Sequence, residues 1–254
     1  MPNSGAPTHA QTRAQFAIIG HKGRMGNALA NAIEEAGHDF KVGVDIGGHP
    51  GPVVSQCDVV VDFSAPDALE ANLAAARVAG VPILIGTTGL EPSHHALIDD
   101  TARAIPVLQT GNTSLGVTLM AHLVREAATR LQDDWDIEVL EMHHRNKVDA
   151  PSGTANLLGE AAAEARGIDL SDNLESGRHG YTGPRGKGHI GFATLRGGTV
   201  AGEHSVIFAG DEERLTISHS AEDRMIFARG AVRGAAWLIG REPGRYRMED
   251  VLGL

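Results

Sequence analysis

Between positions 16 and 109 short apolar runs alternate with longer stretches of helical period. Phe16-Ala17-Ile18-Ile19, Phe40-Lys41-Val42-Gly43-Val44, Val59-Val60-Val61, Val81-Pro82-Ile83-Leu84-Ile85 and Pro106-Val107-Leu108-Gln109 read as strands, and 27–33, 66–79 and the stretch from His94 to 104 read as helices. This alternation predicts a parallel, doubly wound sheet, whose ligands gather at the carboxyl ends of its strands. Each run ends in a polar or turn-forming group: Gly20-His21-Lys22-Gly23-Arg24-Met25-Gly26, then Asp45, Asp62-Phe63-Ser64, Gly86-Thr87-Thr88-Gly89 and Thr110-Gly111-Asn112-Thr113-Ser114.

From 115 the pattern changes. Apolar residues at 117, 120, 121, 124 and 128 predict a helix over 116–131, followed by a strand at Ile137-Glu138-Val139-Leu140 and a helix over 153–165. Positions 169–179 are polar and turn-rich, and 181–188 form a loop with two cations. Strand-like runs follow at 189–196, 198–204, 205–209 and 213–219, then a helix at 225–239 and a short closing segment at 248–252. Strands joined by short turns predict an antiparallel or mixed sheet, hence a second, α+β domain. There is no internal repeat.

With 254 residues the chain is long enough for one large domain or two modest ones. A hydrophobic content of 42% and a charged content of 21% describe a globular chain rather than a disordered one. The formal net charge of −10 argues against nucleic acid or a membrane surface as partner, since both need a basic face. One cysteine, Cys57, forms no internal disulfide, which suits the cytoplasm, and no apolar stretch is long enough for a membrane span. Residues 1–14, rich in Pro, Ser, Thr, Gln and Gly, read as a flexible tail without the apolar core of a secretion signal.

Strand, Gly20-x-x-Gly23-x-x-Gly26 and helix is the order in which a dinucleotide's pyrophosphate lies against a helix N-terminus. A glycine trio alone is weak evidence. Asp45, 19 residues past Gly26 at the end of the next strand, is where an acid would accept bonds from ribose hydroxyls. The plainer reading is that Asp45 merely opens the Gly47-Gly48 turn. Together the two features point to a Rossmann-like nucleotide site.

The densest chemistry lies in Glu141-Met142-His143-His144-Arg145-Asn146-Lys147-Val148-Asp149-Ala150-Pro151-Ser152-Gly153-Thr154-Ala155. It stands where a strand gives way to a helix, so free backbone N–H groups and the positive helix end join Lys147 and the imidazoles. That combination favours a small carboxylate or phosphate. Separately, a His-His pair is more often surface decoration and a P-S-G-T run a helix cap. Zinc ligation is disfavoured, because neighbouring strand residues face opposite ways and Cys57 is the sole cysteine.

E-x-H-H-x-x-K-x-D-A-P-S-G-T-A resembles the signature of the dihydrodipicolinate reductase family of the diaminopimelate route to lysine. The resemblance runs from about Phe16 to Leu254 and includes G-x-x-G-R-M-G at 20–26, V-D-F-S at 61–64, G-T-T-G at 86–89, I-G-F-A-T-L-R-G-G at 190–198, V-A-G-E-H at 200–204 and R-M-I-F-A-R-G-A-V-R-G-A-A-W-L at 224–238. It implies a nucleotide domain of 15–114 plus 224–254, and a domain of 115–223 that binds substrate and builds a homotetramer through its open sheet. It further implies an NAD(P)H-dependent reduction, with loss of water, of a cyclic dicarboxylate. Gly20, His21, Lys22, Gly23, Arg24, Met25 and Asp45 would hold the adenosine half of the cofactor. Gly86, Thr87, Thr88, Thr110, Gly111, Asn112 and Thr113 would lie along the nicotinamide. His143 matches the proton donor or acceptor, Lys147 the proton donor, and His144, Gly153 and Thr154 the substrate-binding residues; no metal is implied.

This chain departs from the family in three places. Ile46 stands where NADPH-preferring members often carry arginine beside the ribose acid. With Lys22 and Arg24 as substitutes, dual use of NADH and NADPH is expected. His21-Lys22 are bulkier than the usual turn residues, and Thr113 replaces a larger apolar one. A different nicotinamide-linked enzyme on this scaffold would leave His-His-x-x-Lys without a dicarboxylate to grip, and a non-catalytic nucleotide sensor would be expected to have lost Lys147 or His143.

Overall fold

The computed structural model describes residues 13–254. Of the tail expected over 1–14, residues 1–12 lie outside the described residues. The last position is not tail: Ala14 is buried, and its carbonyl accepts from the Asp39 N–H at 2.9 Å, so the chain is tied down just ahead of its first strand.

In chain order the elements are β1 (Gln15–Ile19), α1 (Arg24–Glu35), β2 (Asp39–Val44), α2 (Gly51–Val54), β3 (Val59–Asp62), α3 (Leu69–Ala79), β4 (Ile83–Ile85), α4 (Pro92–Ala102) and β5 (Pro106–Gln109). There follow α5 (Leu115–Arg130), β6 (Asp136–His143), α6 (Gly153–Arg166), α7 (Leu170–Asn173), β7 (Leu174–Ser176), β8 (Ile190–Arg196), β9 (Gly202–Ala209) and β10 (Arg214–Ala221). The chain closes with α8 (Met225–Leu238), β11 (Gly244–Tyr246) and α9 (Met248–Leu252). Contacts divide them into two compact units: the described residues up to Gln109 with Ala231–Tyr246, and Thr110–Gly230 with Arg247–Leu254.

The first unit is built on a sheet in the order β11-β5-β4-β3-β1-β2, in which every strand pair is parallel. The inner strands β1, β3, β4 and β5 carry the near-continuous apolar runs that burial on both faces demands, with Val59, Val60 and Val61 wholly inside, whereas the edge strands β2 and β11 are only partly buried. Strand order reverses between β1 and β3. The connections leaving those two strands therefore run to opposite sides and open a crevice at their carboxyl ends, where Gly20 and Asp62-Phe63-Ser64 stand. Three-residue β11 was not among the expected strands, because a segment that short carries no readable period.

The second unit holds a mixed sheet in the order β10-β9-β6-β8-β7. Central β6 runs antiparallel to β9 and parallel to β8. Its residues alternate between half-buried and buried, and Ile137 and Val139 share a core with Val124 of α5, Leu158 and Ala162 of α6 and Phe208 of the neighbouring β9. The expected strands at 198–204 and 205–209 are one strand, β9. Residues 197–201 instead make a turn, in which the Gly197 N–H donates to the His143 carbonyl at 2.9 Å and Gly198 takes φ +53°. A left-handed glycine suits a turn and interrupts a strand. The polar stretch 169–179 contains α7 and edge strand β7. Expected with the first unit, α9 groups with the second, where it packs against α5.

Leu158 on α6 is fully enclosed by this second core. Leu158→Ala is expected to lower unfolding free energy by about 2–5 kcal/mol, read as an earlier urea midpoint at unchanged slope.

Candidate active site

In the first unit the β1–α1 turn is shaped by what its glycines lack. Gly20 has φ +84°, and a Cβ there would sit 2.6 Å from the Phe63 carbonyl oxygen. A Cβ on Gly26 would lie 2.3 Å from the His21 carbonyl oxygen, so α1 starts flush against the turn. Gly23, the N-cap of α1, offers no side-chain acceptor, and the first N–H groups of the helix remain for an external anion. Lys22 and Arg24 are exposed beside them.

Asp45 closes the same turn. Its Oδ1 accepts from the Ile46 N–H and its Oδ2 from the Lys22 N–H, both at 2.8 Å. These backbone bonds hold its carboxyl below the usual range, so it is a carboxylate with lone pairs left for hydroxyl donors. The departure at position 21 has a structural counterpart: a Cβ on Gly43 would fall 2.3 Å from the His21 ring, so the imidazole rests on the bare backbone of β2. Its Nδ1 is buried without a hydrogen-bond partner among the described residues, 3.9 Å from Asp45 Oδ2.

At the end of β4, Gly86 lies under the Phe63 ring, where a Cβ would approach to 2.2 Å. Thr87 is buried, its hydroxyl without a partner among the described residues, and Thr88 is exposed. A glycine cradle, free helix amides, an acid with spare acceptors and an orphaned hydroxyl fit a nicotinamide dinucleotide, which presents phosphates, ribose hydroxyls and a carboxamide.

The loop after β5 belongs to the second unit. Thr110 Oγ1 accepts from the Asn112 N–H at 3.1 Å, and Asn112 Oδ1 from the Ser114 N–H at 2.9 Å. Asn112 Nδ2 donates to Thr154 Oγ1 at 3.0 Å, fixing the loop to the start of α6. Gly111 has open space where a side chain would stand. The Thr113 side chain is turned inward, its hydroxyl donating to the Phe227 carbonyl at 2.6 Å, so only its backbone is left to meet a ligand.

The carboxyl end of β6 carries the densest polar cluster. Glu141 and His143 continue the inward-facing series of Ile137 and Val139, so a carboxylate and an imidazole occupy core positions. Glu141 Oε2 lies 2.6 Å from His143 Nδ1 and accepts from Arg196 Nη1 at 2.8 Å. Glu141 Oε1 accepts from Arg196 Nη2 at 2.9 Å and from the Ser152 N–H at 3.0 Å. Burial alone would raise the Glu141 pKa; the bonds from Arg196, His143 and Ser152 outweigh it and leave the net shift downward.

Ser152 is also the N-cap of α6, its Oγ accepting from the Ala155 N–H at 3.2 Å. The Gly153 and Thr154 N–H groups have no acceptor inside the helix. His144 Nε2 meets an Arg224 Nη2 donor at 2.8 Å; burial first, then Arg224, lowers its pKa, so the ring is neutral with its proton on Nδ1. Lys147 Nζ pairs with Asp149 at 2.8 Å. The second unit thus brings together His143, His144, Lys147, Gly153 and Thr154 with Asn112. Asp45, Gly86, Thr87, Thr88 and 20–25 form a separate group in the first.

Arg196, His204, Ser152, Glu141 and Arg224 had no role assigned from sequence. The signal for three of them lies in strand phase: Glu141 follows Ile137 and Val139, Arg196 follows Ile190 and Phe192, and His204 precedes Val206 and Phe208, each in step with apolar core positions. A polar residue on the apolar phase of three adjoining strands marks a built site.

Residues 14–113 match the family model described as dihydrodipicolinate reductase, N-terminus, and residues 116–252 that described as its C-terminus. The 4-hydroxy-tetrahydrodipicolinate reductase of Afipia carboxidovorans is 51% identical, the match covering 93% of this chain and 96% of the relative. The enzyme of the same name from Zymomonas mobilis is 48% identical over 96% of this chain and 99% of the relative. The fold is similar to that of a dipicolinate-bound dihydrodipicolinate reductase from Paenisporosarcina, with a TM-score of 0.74 at 22% identity over 93% of this chain and 98% of the other.

His204 generates a stability prediction. Its Nε2 lies 3.0 Å from Ser152 Oγ, its Nδ1 is buried without a partner among the described residues, and burial, with His143 adding, lowers its pKa to about 4. The unfolded chain binds this proton near pH 6.5 and the folded chain only near 4, so between those values the unfolded state takes up more protons and stability falls as pH drops. The loss is on the order of 3 kcal/mol. Urea unfolding at pH 7 and 4.5 should show a smaller loss for His204→Phe than for the native chain.

Proposed function

The chain belongs to the dihydrodipicolinate reductase family, and from that membership we propose that it reduces 4-hydroxy-tetrahydrodipicolinate to tetrahydrodipicolinate, with loss of water, in the diaminopimelate route to lysine. It is an oxidoreductase that uses a nicotinamide cofactor. The observation that carries the reading is the corner at the start of α6, where two unpaired amides, a lysine and two imidazoles converge.

A cyclic dicarboxylate asks for donors on two sides and a proton source between them. The Gly153 and Thr154 N–H groups at the positive end of α6 bind one carboxylate, and His144 Nδ1–H contributes a further donor. Arg224 keeps that donor aimed outward by occupying Nε2. Lys147 is held by Asp149, whose carboxyl is kept ionised chiefly by that lysine. Asp149 is half exposed, so the pair is worth only about 0.2–1 kcal/mol, and an arriving substrate can exchange for it. Lys147 and His143 then supply a proton to the ring, or steady the charge that develops on it. A reduced nicotinamide, when bound, supplies the hydride.

Within this reading Gly20, His21, Lys22, Gly23, Arg24, Met25 and Asp45 hold the adenosine half of the cofactor, and Gly86, Thr87, Thr88, Thr110, Gly111, Asn112 and Thr113 its nicotinamide end. Dual use of NADH and NADPH follows from three features together. Asp45 offers lone pairs to ribose hydroxyls, Lys22 and Arg24 offer charge to a 2′-phosphate, and the fully exposed Ile46 offers neither. A cytoplasmic homotetramer joined through the open face of the second sheet is part of the same reading. Leu195, 48% exposed there beside half-buried Met142 and Leu140, supports it.

Lys147→Ala is expected to lower kcat by about 10²–10⁴-fold with substrate generated in situ by the preceding synthase and nicotinamide absorbance followed. Unchanged turnover would remove lysine from the chemistry. In titrations of cofactor fluorescence both NADH and NADPH should bind, with Lys22→Ala and Arg24→Ala weakening NADPH more than NADH. Binding of NADPH with no detectable NADH binding contradicts dual use.

A further inference from the structure

Glu141 is almost fully buried on a strand whose preceding inward residues are isoleucine and valine, and the family roles set out above leave it without one. A carboxylate in that place is costly unless surrounded by donors, and four donors surround it. Arg196 binds it through both terminal nitrogens, while the Leu195 and Asp149 carbonyls hold the same guanidinium at 2.7 and 2.5 Å. The Ser152 N–H ties it to the start of α6.

Geometry then decides the state of His143. Both Glu141 oxygens already accept from Arg196, so the group is ionised and has no proton to give. The 2.6 Å contact with His143 Nδ1 is therefore an Nδ1–H donating to Glu141 Oε2. Nε2 makes no hydrogen bond among the described residues. Facing it is Gly202, where a Cβ would come within 3.0 Å. The other ring in contact, His204, meets His143 edge-on at 5.1 Å and is engaged with Ser152.

We propose that Glu141 is a positioning residue: it locks His143 in the Nδ1–H tautomer, with Arg196 holding the carboxylate in place, so that any proton His143 itself exchanges with the substrate passes through its Nε2, beside the Lys147 ammonium. The kinetic part rests on the function proposed above, whereas the tautomer does not. The arrangement follows the logic by which a buried carboxylate orients a catalytic imidazole on unrelated folds.

The test begins with the full-length native protein labelled with ¹⁵N. Long-range ¹H–¹⁵N correlation separates the two neutral imidazole tautomers, and the His143 signals are those lost in His143→Gln. An Nδ1–H pattern is expected; an Nε2–H pattern overturns the proposal without need of any Glu141 variant. In Glu141→Gln the carboxamide oxygen is kept on the Oε1 side, where Arg196 Nη2 and the Ser152 N–H both donate, so the NH₂ takes the Oε2 side at the loss of one Arg196 bond and faces His143, which forces Nδ1 to accept. His143 should then switch to Nε2–H, and kcat should fall by about 10²-fold or more while KM changes far less. Glu141→Asp, which keeps the charge, should recover part of kcat together with the native tautomer. A folded Glu141→Gln protein with unchanged tautomer or native kcat overturns the proposal. If the native chain shows Nδ1–H but fails to reduce 4-hydroxy-tetrahydrodipicolinate, the proposed function falls and the tautomer lock stands.

Discussion

A carboxylate removed from water needs its own shell of donors, and the shell around Glu141 draws on three separate pieces of chain. His143 supplies one donor from β6 itself, Arg196 two from β8, and the Ser152 N–H one from the cap of α6. Removing one partner from such a buried set costs about 3–5 kcal/mol, because the charge left behind keeps its desolvation penalty without its compensation. The strand end, the neighbouring strand and the helix N-terminus are thereby bound to a common geometry. Everything proposed for substrate depends on that geometry, since His143, the Gly153 and Thr154 amides and the Asn112–Thr154 bond all hang from it.

The first unit meets its requirement by omission. Its turn has to bring α1, β3 and β4 close to the β1 end, and Gly20, Gly26, Gly43 and Gly86 stand where a Cβ would strike backbone or ring. Phe63 fills the space over Gly86, and the His21 ring the space over Gly43. Asp62, fully buried below, accepts from the Ser64 N–H and hydroxyl and from Asn72 Nδ2, which braces the β3 end of the crevice. One unit thus builds its site by leaving side chains out, the other by satisfying a charge inside the core.

Much of this was legible from residues alone, and where legibility failed the reason is physical. Near-continuous apolar runs announced the inner parallel strands, because a strand covered on both faces has no polar phase. The Glu141–Ala155 stretch announced an anion corner, because strand end, lysine and helix cap are neighbours in sequence. Three-residue β11 and the turn at 197–201 escaped, since a period cannot be read in so few residues and a Gly-Gly turn inside an apolar stretch resembles strand. Arg196 and His204 escaped as members of the site because they lie 55 and 63 residues from Glu141 and meet it only through strand pairing.

By itself the sequence determined the fold class, the glycine turn with its acid, and the local cluster around His143 and Lys147, all of them properties of residues a few positions apart. Tertiary structure alone decided which nitrogen of His143 carries the proton, that the Thr113 hydroxyl is spent on the Phe227 carbonyl, and that His21 rests on Gly43. Those outcomes depend on strand register and helix docking. Register brings His204 opposite Glu141 and Arg196 opposite His143, and a slip of one residue would send each side chain to the other face.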